Sequence, residues 1–217
     1  MRRNVIFDMD GVLIDSQPLH FRADLDVLSH VSAGKHKPSY NDVELMAGTP
    51  NNPRWQKYIN MFDLTQSAET LIDMYYKAFT GLFRRGECKL CHGVAQLLAL
   101  LRANGIKTAV ATSTYMDLVS IIFDTLGLNG FDVMVTGEMV TNGKPEPDIF
   151  LKAAKELAAN PADCLVVEDS YNGVKAAKAA GIYCVGYQNP TSGNQDLSAA
   201  DMIISDFDTI NNNLEWL

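Results

Sequence analysis

Two carboxylates two residues apart, Asp8 and Asp10, follow the apolar run Val5-Ile6-Phe7 and precede Gly11. The run is apolar throughout and too short for a helix, so it reads as a buried strand ending at Asp8, with Gly11 supplying a turn. Acids this close, with no base beside them in sequence, repel unless a cation lies between them. Mg²⁺, typically held by one or two carboxylates with waters and phosphate oxygens, answers that need. An Asp-Gly turn carrying a spare acid accounts for the same residues equally well.

The elements that must position these acids change character along the chain. Helical spacing runs from Pro18 to Val31, with Phe21, Leu25, Leu28 and Val31 recurring at three and four residues and proline in the first turn. A polar break, Gly34 to Ser39, follows. A short helix from Asn41 to Ala47 is ended by Gly48-Thr49-Pro50, and Arg54 to Met61 and Ala68 to Phe83 give two more helices. Four helices with no intervening strand do not fit a βαβ sheet. They form either an inserted lid or a helical bundle ornamenting the sheet.

From about Cys91 strands and helices alternate. Strands are expected at Ile106–Ala111, Phe131–Thr136, Leu165–Val167, Ile182–Gly186 and Met202–Ile204, and helices at Val94–Arg102, Met116–Leu126, Pro147–Ala158 and Val174–Ala180. Such alternation implies parallel strands with right-handed crossovers, leaving the strand order open. In a doubly wound sheet ligands bind at the carboxyl ends of the strands. Asp8, Thr112 with Ser113, and Glu168 with Asp169 each follow a strand, so they should converge on one edge. Phosphoryl transfer suits that set, since it asks mainly for positioning and charge neutralisation.

Four motifs carry a family resemblance: Asp8-Met9-Asp10-Gly11-Val12-Leu13, Ala111-Thr112-Ser113, Gly143-Lys144-Pro145-Glu146-Pro147-Asp148, and Val166-Val167-Glu168-Asp169-Ser170. In that order they resemble the motifs of the haloacid-dehalogenase superfamily of phosphotransferases, in the branch with beta-phosphoglucomutase and small-phosphate phosphatases. The resemblance implies an α/β fold: a three-layer, Rossmann-like parallel sheet core with the first strand central, residues 1–15 and 85–217. A mobile helical cap, residues 16–84, would be inserted in it.

The resemblance also implies roles. Asp8 would be the nucleophile, forming an aspartyl-phosphate. Asp10 would be general acid and then base, and an acid at this place resembles the phosphatase and phosphomutase members. Mg²⁺ would be held by Asp8, the main-chain carbonyl of Asp10, Glu168 and Asp169. The acidic pair alone could equally be a solvated helix start. Thr112 and the amides around Ser113 and Thr114 would hold the transferring phosphate, although such a triplet is also an ordinary helix cap. Lys144, between Gly143 and Pro145, would neutralise phosphate and Asp8, or is a surface lysine. Asn172-Gly173 fits a turn into the next helix and a supporting amide.

Substrate choice would fall to the cap, where His20 stands at the place of the branch's cap histidine. Mutases of the branch carry an arginine three residues after the cap-loop glycine. Here Gly48 is followed by Thr49-Pro50-Asn51, and the nearest arginine is Arg54. The second motif is followed by Thr114-Tyr115-Met116 where the mutases have Lys-Asn, and Lys77 aligns only loosely with a cap lysine. The expectation is therefore a Mg²⁺-dependent phosphatase of a small organophosphate, a sugar phosphate by class. A sugar phosphomutase comes second and a non-catalytic binding module third.

Bulk properties narrow the partners. At 217 residues the chain has room for a core domain and a smaller accessory one. A net charge of −8 argues against a nucleic-acid partner, which needs concentrated Lys and Arg. A small phosphorylated metabolite would instead be drawn by a local metal and lysine. No stretch approaches the roughly 18 apolar residues of a membrane span. The run between Asn4 and Asp8 is too short for a signal peptide's apolar region, so a cytoplasmic location is expected. Cys164 and Cys184 read as buried small hydrophobes. Cys88-Lys89-Leu90-Cys91-His92 matches a C-x-x-C-H pattern, taken as fortuitous without export signal or further ligands nearby. The oligomeric state is not legible.

Overall fold

The computed structural model describes residues 3–32, 37–46, 49 and 51–211. The chain divides into two compact units, Met1–Asp15 with Lys89–Leu217, and Ser16–Cys88. Residues 85–88, given to the core from sequence, belong with the helical unit.

The first unit is built on a sheet of six parallel strands: β1 (Asn4–Phe7), β2 (Lys107–Ala111), β3 (Val133–Val135), β4 (Cys164–Glu168), β5 (Tyr183–Tyr187) and β6 (Met202–Ile204). Their order is β3-β2-β1-β4-β5-β6, so β1 is central as expected. Phe7 lies level with Val110 of β2 and Val167 of β4. Among the described residues, five helices accompany the strands: α5 (Val94–Ala103), α6 (Met116–Leu126), α7 (Asp148–Glu156), α8 (Tyr171–Ala179) and α9 (Asp208–Asn211).

Alternation along the strands sends Ile6, Ala109, Ala111 and Val166 to one face, where Phe150 and Ala153 of α7 and Val174 and Ala177 of α8 close over them. Phe7 points to the other face and meets Phe131 edge-on at 6.3 Å, which in turn packs against Phe123 of α6. Helices thus cover both faces, and all four residues of β1 are buried. A strand buried on both sides reads as a continuous apolar run, which is why Val5-Ile6-Phe7 is legible.

Where expected boundaries differ, local chemistry explains it. The Phe131–Thr136 strand shortens to Val133–Val135. Phe131 packs on Phe7, Asp132 accepts the Thr108 N–H through its carboxylate at 2.8 Å, and Thr136 opens a short 3₁₀ turn, Gly137–Met139. The helix expected to reach Ala158 stops at Glu156, and Ala158 takes a left-handed φ of 56°. The next helix begins at Tyr171 rather than Val174, because the Ser170 side chain accepts the Gly173 N–H and caps it. Asn172-Gly173 is therefore not a turn before the helix but its first turn.

The second unit holds α1 (Gln17–Val31), α2 (Tyr40–Glu44), α3 (Asn51–Phe62) and α4 (Ala68–Arg84). The expected end of α2 at Ala47, the cap-loop residues Gly48 and Pro50, and 33–36 of the polar break lie outside the described residues. Helix α3 starts at Asn51, ahead of the expected Arg54, since Pro53 is tolerated in a first turn. Its core is aromatic: Trp55, Tyr58, Tyr75, Phe79 and Phe83 are all buried.

Within that core lies an ion pair. Asp24 is 1% and Arg54 8% exposed, with Arg54 Nε 3.4 Å from Asp24 Oδ2. The Tyr58 hydroxyl donates to the same oxygen at 3.0 Å. Arg54 also donates to Asn51 Oδ1 at 2.6 Å and lies over the Tyr75 ring at 4.8 Å. Burial pushes the Asp24 carboxyl above its usual range against the pull of Arg54. Removing one partner leaves the other charge buried and unpaired. Arg54→Ala is therefore expected to cost about 3–5 kcal/mol in urea unfolding. A loss under about 1 kcal/mol would mean the pair behaves as a solvent-screened one.

Candidate active site

Three acids meet where β1 and β4 end. Ligating oxygens of Asp8, Glu168 and Asp169 lie within 4.8 Å of one another, and all three residues are buried. They converge because β1 and β4 are adjacent and in register, and the Asp8 N–H extends the ladder to Val167 O at 3.0 Å. Lys144 enters from the loop between β3 and α7, where Glu146 N–H bonds back to Gly143 O at 3.0 Å. Its Nζ bonds Asp8 Oδ1 at 2.6 Å and Glu168 Oε1 at 2.8 Å, with the side chain 8% exposed. It is no surface lysine.

The acids outnumber their counter-ion. Two like charges about 4 Å apart repel by about 4 kcal/mol at an effective dielectric near 20. Burial pushes the Asp8 carboxyl up to about 7, opposed by Lys144 and reinforced by Glu168 and Asp10. Asp169 is driven well above the carboxylate range by burial first and then by Glu168 and Asp8. Burial alone would lower the Lys144 pKa, but the charges of Asp8 and Glu168 raise it. An all-oxygen, electron-rich cluster of this kind fits a hard divalent cation such as Mg²⁺. Among the described residues it is the one grouping of three ligating side chains.

Each acid is held. The second oxygen of Glu168 accepts the Ser170 N–H at 2.5 Å. Beneath it, a Cβ on Gly173 would overlap the Glu168 carboxylate, so the first turn of α8 must be bare there. Asp169 Oδ2 accepts the hydroxyl of Ser192. Gly11, at φ 80°, lets the β1 turn pass close by: a Cβ there would lie 2.6 Å from Asp169 Cγ. Asp10 is half-buried and accepts the Thr114 hydroxyl at 2.8 Å.

The residues after β2 form a loop rather than the helix cap that sequence left open. Helix α6 is preceded by Tyr115, and its Met116 N–H is met by Glu138 Oε1 at 2.9 Å. Thr112 N–H continues the ladder to Val135 O, and Thr114 N–H donates to Thr112 Oγ1, both at 3.0 Å. The expected helix-start amides are thus loop amides, and that of Thr114 is already engaged. Among the described residues the Ser113 N–H donates to none.

The structure brings Asp8, Lys144, Glu168 and Asp169 together and joins Asp10 to Thr114. His20 belongs to the helical unit, stacked on Phe79 at 4.2 Å with Nδ1 2.5 Å from the Tyr75 hydroxyl. Cys88 and Cys91 are buried, while His92 is exposed and 3.4 Å from the Asp208 carboxylate. Glu138, Asn189 and Ser192 were not singled out from sequence. The run Asn189-Pro190-Thr191-Ser192-Gly193 signals a loop after a strand, but not which side chains reach back.

Gly173→Ala isolates the packing of Glu168. Alanine is the better helix former by about 1 kcal/mol, but its Cβ must push the buried Glu168 carboxylate aside, so urea unfolding should show a loss of about 1–3 kcal/mol that leaves the protein folded. The displaced carboxylate should nevertheless cut phosphate-ester turnover by about tenfold or more. Unchanged turnover would mean Glu168 need not sit where Lys144 and Ser170 hold it.

The sequence profile of the family described as haloacid dehalogenase-like hydrolase matches residues 5–187. A phosphorylated carbohydrates phosphatase of Thermotoga maritima is 35% identical over 184 residues, covering 82% of this chain and 81% of the relative. The crystal structure of CbbY from Rhodobacter sphaeroides in complex with phosphate superposes with a TM-score of 0.80 at 27% identity, over 97% of this chain and 96% of that one. A Thermotoga maritima structure provisionally named beta-phosphoglucomutase gives 0.83 at 31% identity, over 99% of both chains. The likeness carried by the four motifs therefore holds over nearly the whole chain, which belongs to the haloacid dehalogenase-like hydrolases as a phosphoric monoester hydrolase.

Proposed function

We propose that the chain is a Mg²⁺-dependent phosphatase of a small phosphorylated metabolite, a sugar phosphate by class, acting through an aspartyl-phosphate on Asp8. The observation that carries this reading is Asp8 itself, buried and bonded to Lys144 beside Glu168 and Asp169. A carboxylate so placed can attack phosphorus while a cation offsets the phosphate charge. The names of the relatives support the substrate class, one of them acting on phosphorylated carbohydrates.

Asp8, Glu168, Asp169 and the main-chain carbonyl of Asp10 would hold Mg²⁺, which when bound supplies charge neutralisation for the phosphoryl group. The chain's own groups do the rest. Asp8 attacks phosphorus, and the Asp10 carboxyl, oriented by Thr114, gives its proton to the departing alkoxide. The Thr112 hydroxyl and the Ser113 N–H hold phosphate oxygens, and Lys144 balances their charge. Asp10 then takes a proton from the water that cleaves the acyl phosphate. The helical unit would act as a substrate-selecting cap, with His20 among its contacts. Membership in an enzyme family sets aside the binding-module reading.

The mutase reading meets an obstacle. A mutase must grip the distal phosphate of a bisphosphate, and a guanidinium does so bidentately. Arg54, the nearest arginine after the expected cap loop, spends its guanidinium on Asp24, Asn51 and Tyr75. Water is therefore the expected acceptor.

Phosphate release from a panel of phosphate esters should depend on Mg²⁺, stop with EDTA and return with Mg²⁺ alone. A zinc requirement would overturn the metal assignment. Asp8→Asn should fall below about a hundredth of parent turnover, as loss of a covalent step demands. In EDTA it should melt no lower than the parent, since it relieves three acids sharing one lysine. Supplied with β-glucose 1-phosphate and catalytic glucose 1,6-bisphosphate, the enzyme should release phosphate without isomerisation. Glucose 6-phosphate in large excess over phosphate would establish a mutase instead.

A further inference from the structure

We infer that the loop after β5, residues 188–195, is a positioning element for the acid cluster, with Ser192 orienting Asp169 and Asn189 fixing the Gly11 turn. The inference rests on the metal reading above. Four polar side chains of this loop reach the two acid-bearing turns. Ser192, 6% exposed, gives its hydroxyl to Asp169 Oδ2. Asn189, equally buried, donates to Gly11 O at 2.8 Å. Thr191 Oγ1 lies 2.5 Å from Asp15 Oδ1, and Gln195 Oε1 accepts the Tyr171 N–H at 3.2 Å, at the start of α8.

The loop is itself braced. Asn189 Oδ1 accepts the Thr191 N–H at 2.9 Å, with the Thr191 hydroxyl, whose one proton goes to the closer Asp15 carboxylate, at the same distance, and Gln195 Nε2 donates to Ser192 O at 3.1 Å. One amide side chain therefore shapes the loop with its oxygen and ties it to the β1 turn with its nitrogen. A hydroxyl bonded to one oxygen of a carboxylate sets which oxygen turns toward a cation. Such partners of ligating groups typically matter about 10–100-fold in metal affinity. Gly11 completes the arrangement, since a Cβ there would lie 2.8 Å from Ser192 Oγ.

The test is Mn²⁺ binding to the full chain without substrate, followed by electron paramagnetic resonance, with Ser192→Ala and the near-isosteric Ser192→Cys. Both should weaken Mn²⁺ binding about 10–100-fold and raise the Mg²⁺ needed for half-maximal phosphate release. The ester KM should stay near that of the parent, and the metal-free melting temperature should fall only modestly for the donor lost to buried Asp169. If Ser192→Ala does not fold, Ser192→Cys, with its retained volume, decides. Parent-like Mn²⁺ affinity in the folded variants would overturn the inference and leave the metal reading standing, whether or not their melting temperature falls. A parent protein that binds neither Mn²⁺ nor Mg²⁺ would overturn both.

Discussion

Everything at the carboxyl edge of the sheet is arranged around a shortage of positive charge. Asp8, Glu168 and Asp169 are buried together, and Lys144 is the ammonium set between two of them. Such a cluster is costly to fold, because burying charge is unfavourable unless it is paired and hydrogen-bonded. The surroundings therefore supply donors: the Ser170 amide, the Ser192 hydroxyl and, for Asp10, the Thr114 hydroxyl. What remains uncompensated is negative charge, which a divalent cation could offset. The charge available to a cation and the cost of the cluster to the fold have the same origin.

The parallel sheet makes the cluster possible. Because every strand runs the same way, each turn after a strand opens on one edge, and neighbours in space need not be neighbours in sequence. β1 contributes Asp8, β4 contributes Glu168 and Asp169, and the loop ahead of α7 contributes Lys144. Bare α-carbons at Gly11 and Gly173 then let the turns approach closely enough for carboxylates to share donors. The helical unit shows the opposite use of charge. Asp24 and Arg54 neutralise one another inside an aromatic core, where the guanidinium also lies over the Tyr75 ring.

The strand residues and the acids were legible because their chemistry is local. An apolar run followed by Asp, or by Glu-Asp, announces a buried strand and the group at its end. The helix expected at Met116–Leu126 is observed with those bounds, and Gly127 ends it in a left-handed turn. Asn172-Gly173 was misread because the glycine serves a side chain five residues back, not a turn, and only the folded position of Glu168 reveals this. The Thr112-Ser113-Thr114 triplet leaves both a phosphate-holding loop and a helix cap open in sequence, because its residue types suit both, and the partner at the start of α6, Glu138, is 22 residues away from Met116. Arg54 could be counted from sequence, but its partner Asp24 stands on another helix. The supporting donors in the loop after β5 were hidden by distance: Asn189 and Gly11 are separated by 178 positions.

That separation bears on how the molecule is made. β1 is central, yet Val5 pairs with Thr108 and Leu165, so the first strand has no sheet neighbour until much of the chain exists. Non-local pairings of this kind are slow to form. During synthesis at about 5–20 residues per second, Asp8 would wait roughly ten seconds or more for the loop carrying Ser192. The helical unit, Ser16–Cys88, is meanwhile complete in sequence well before that loop is made. In the nascent chain Asp8 and Asp10 would therefore stay in water, where two acids cost little, until their neutralising partners arrive. Burial of the charge and construction of the site would then be a single late event.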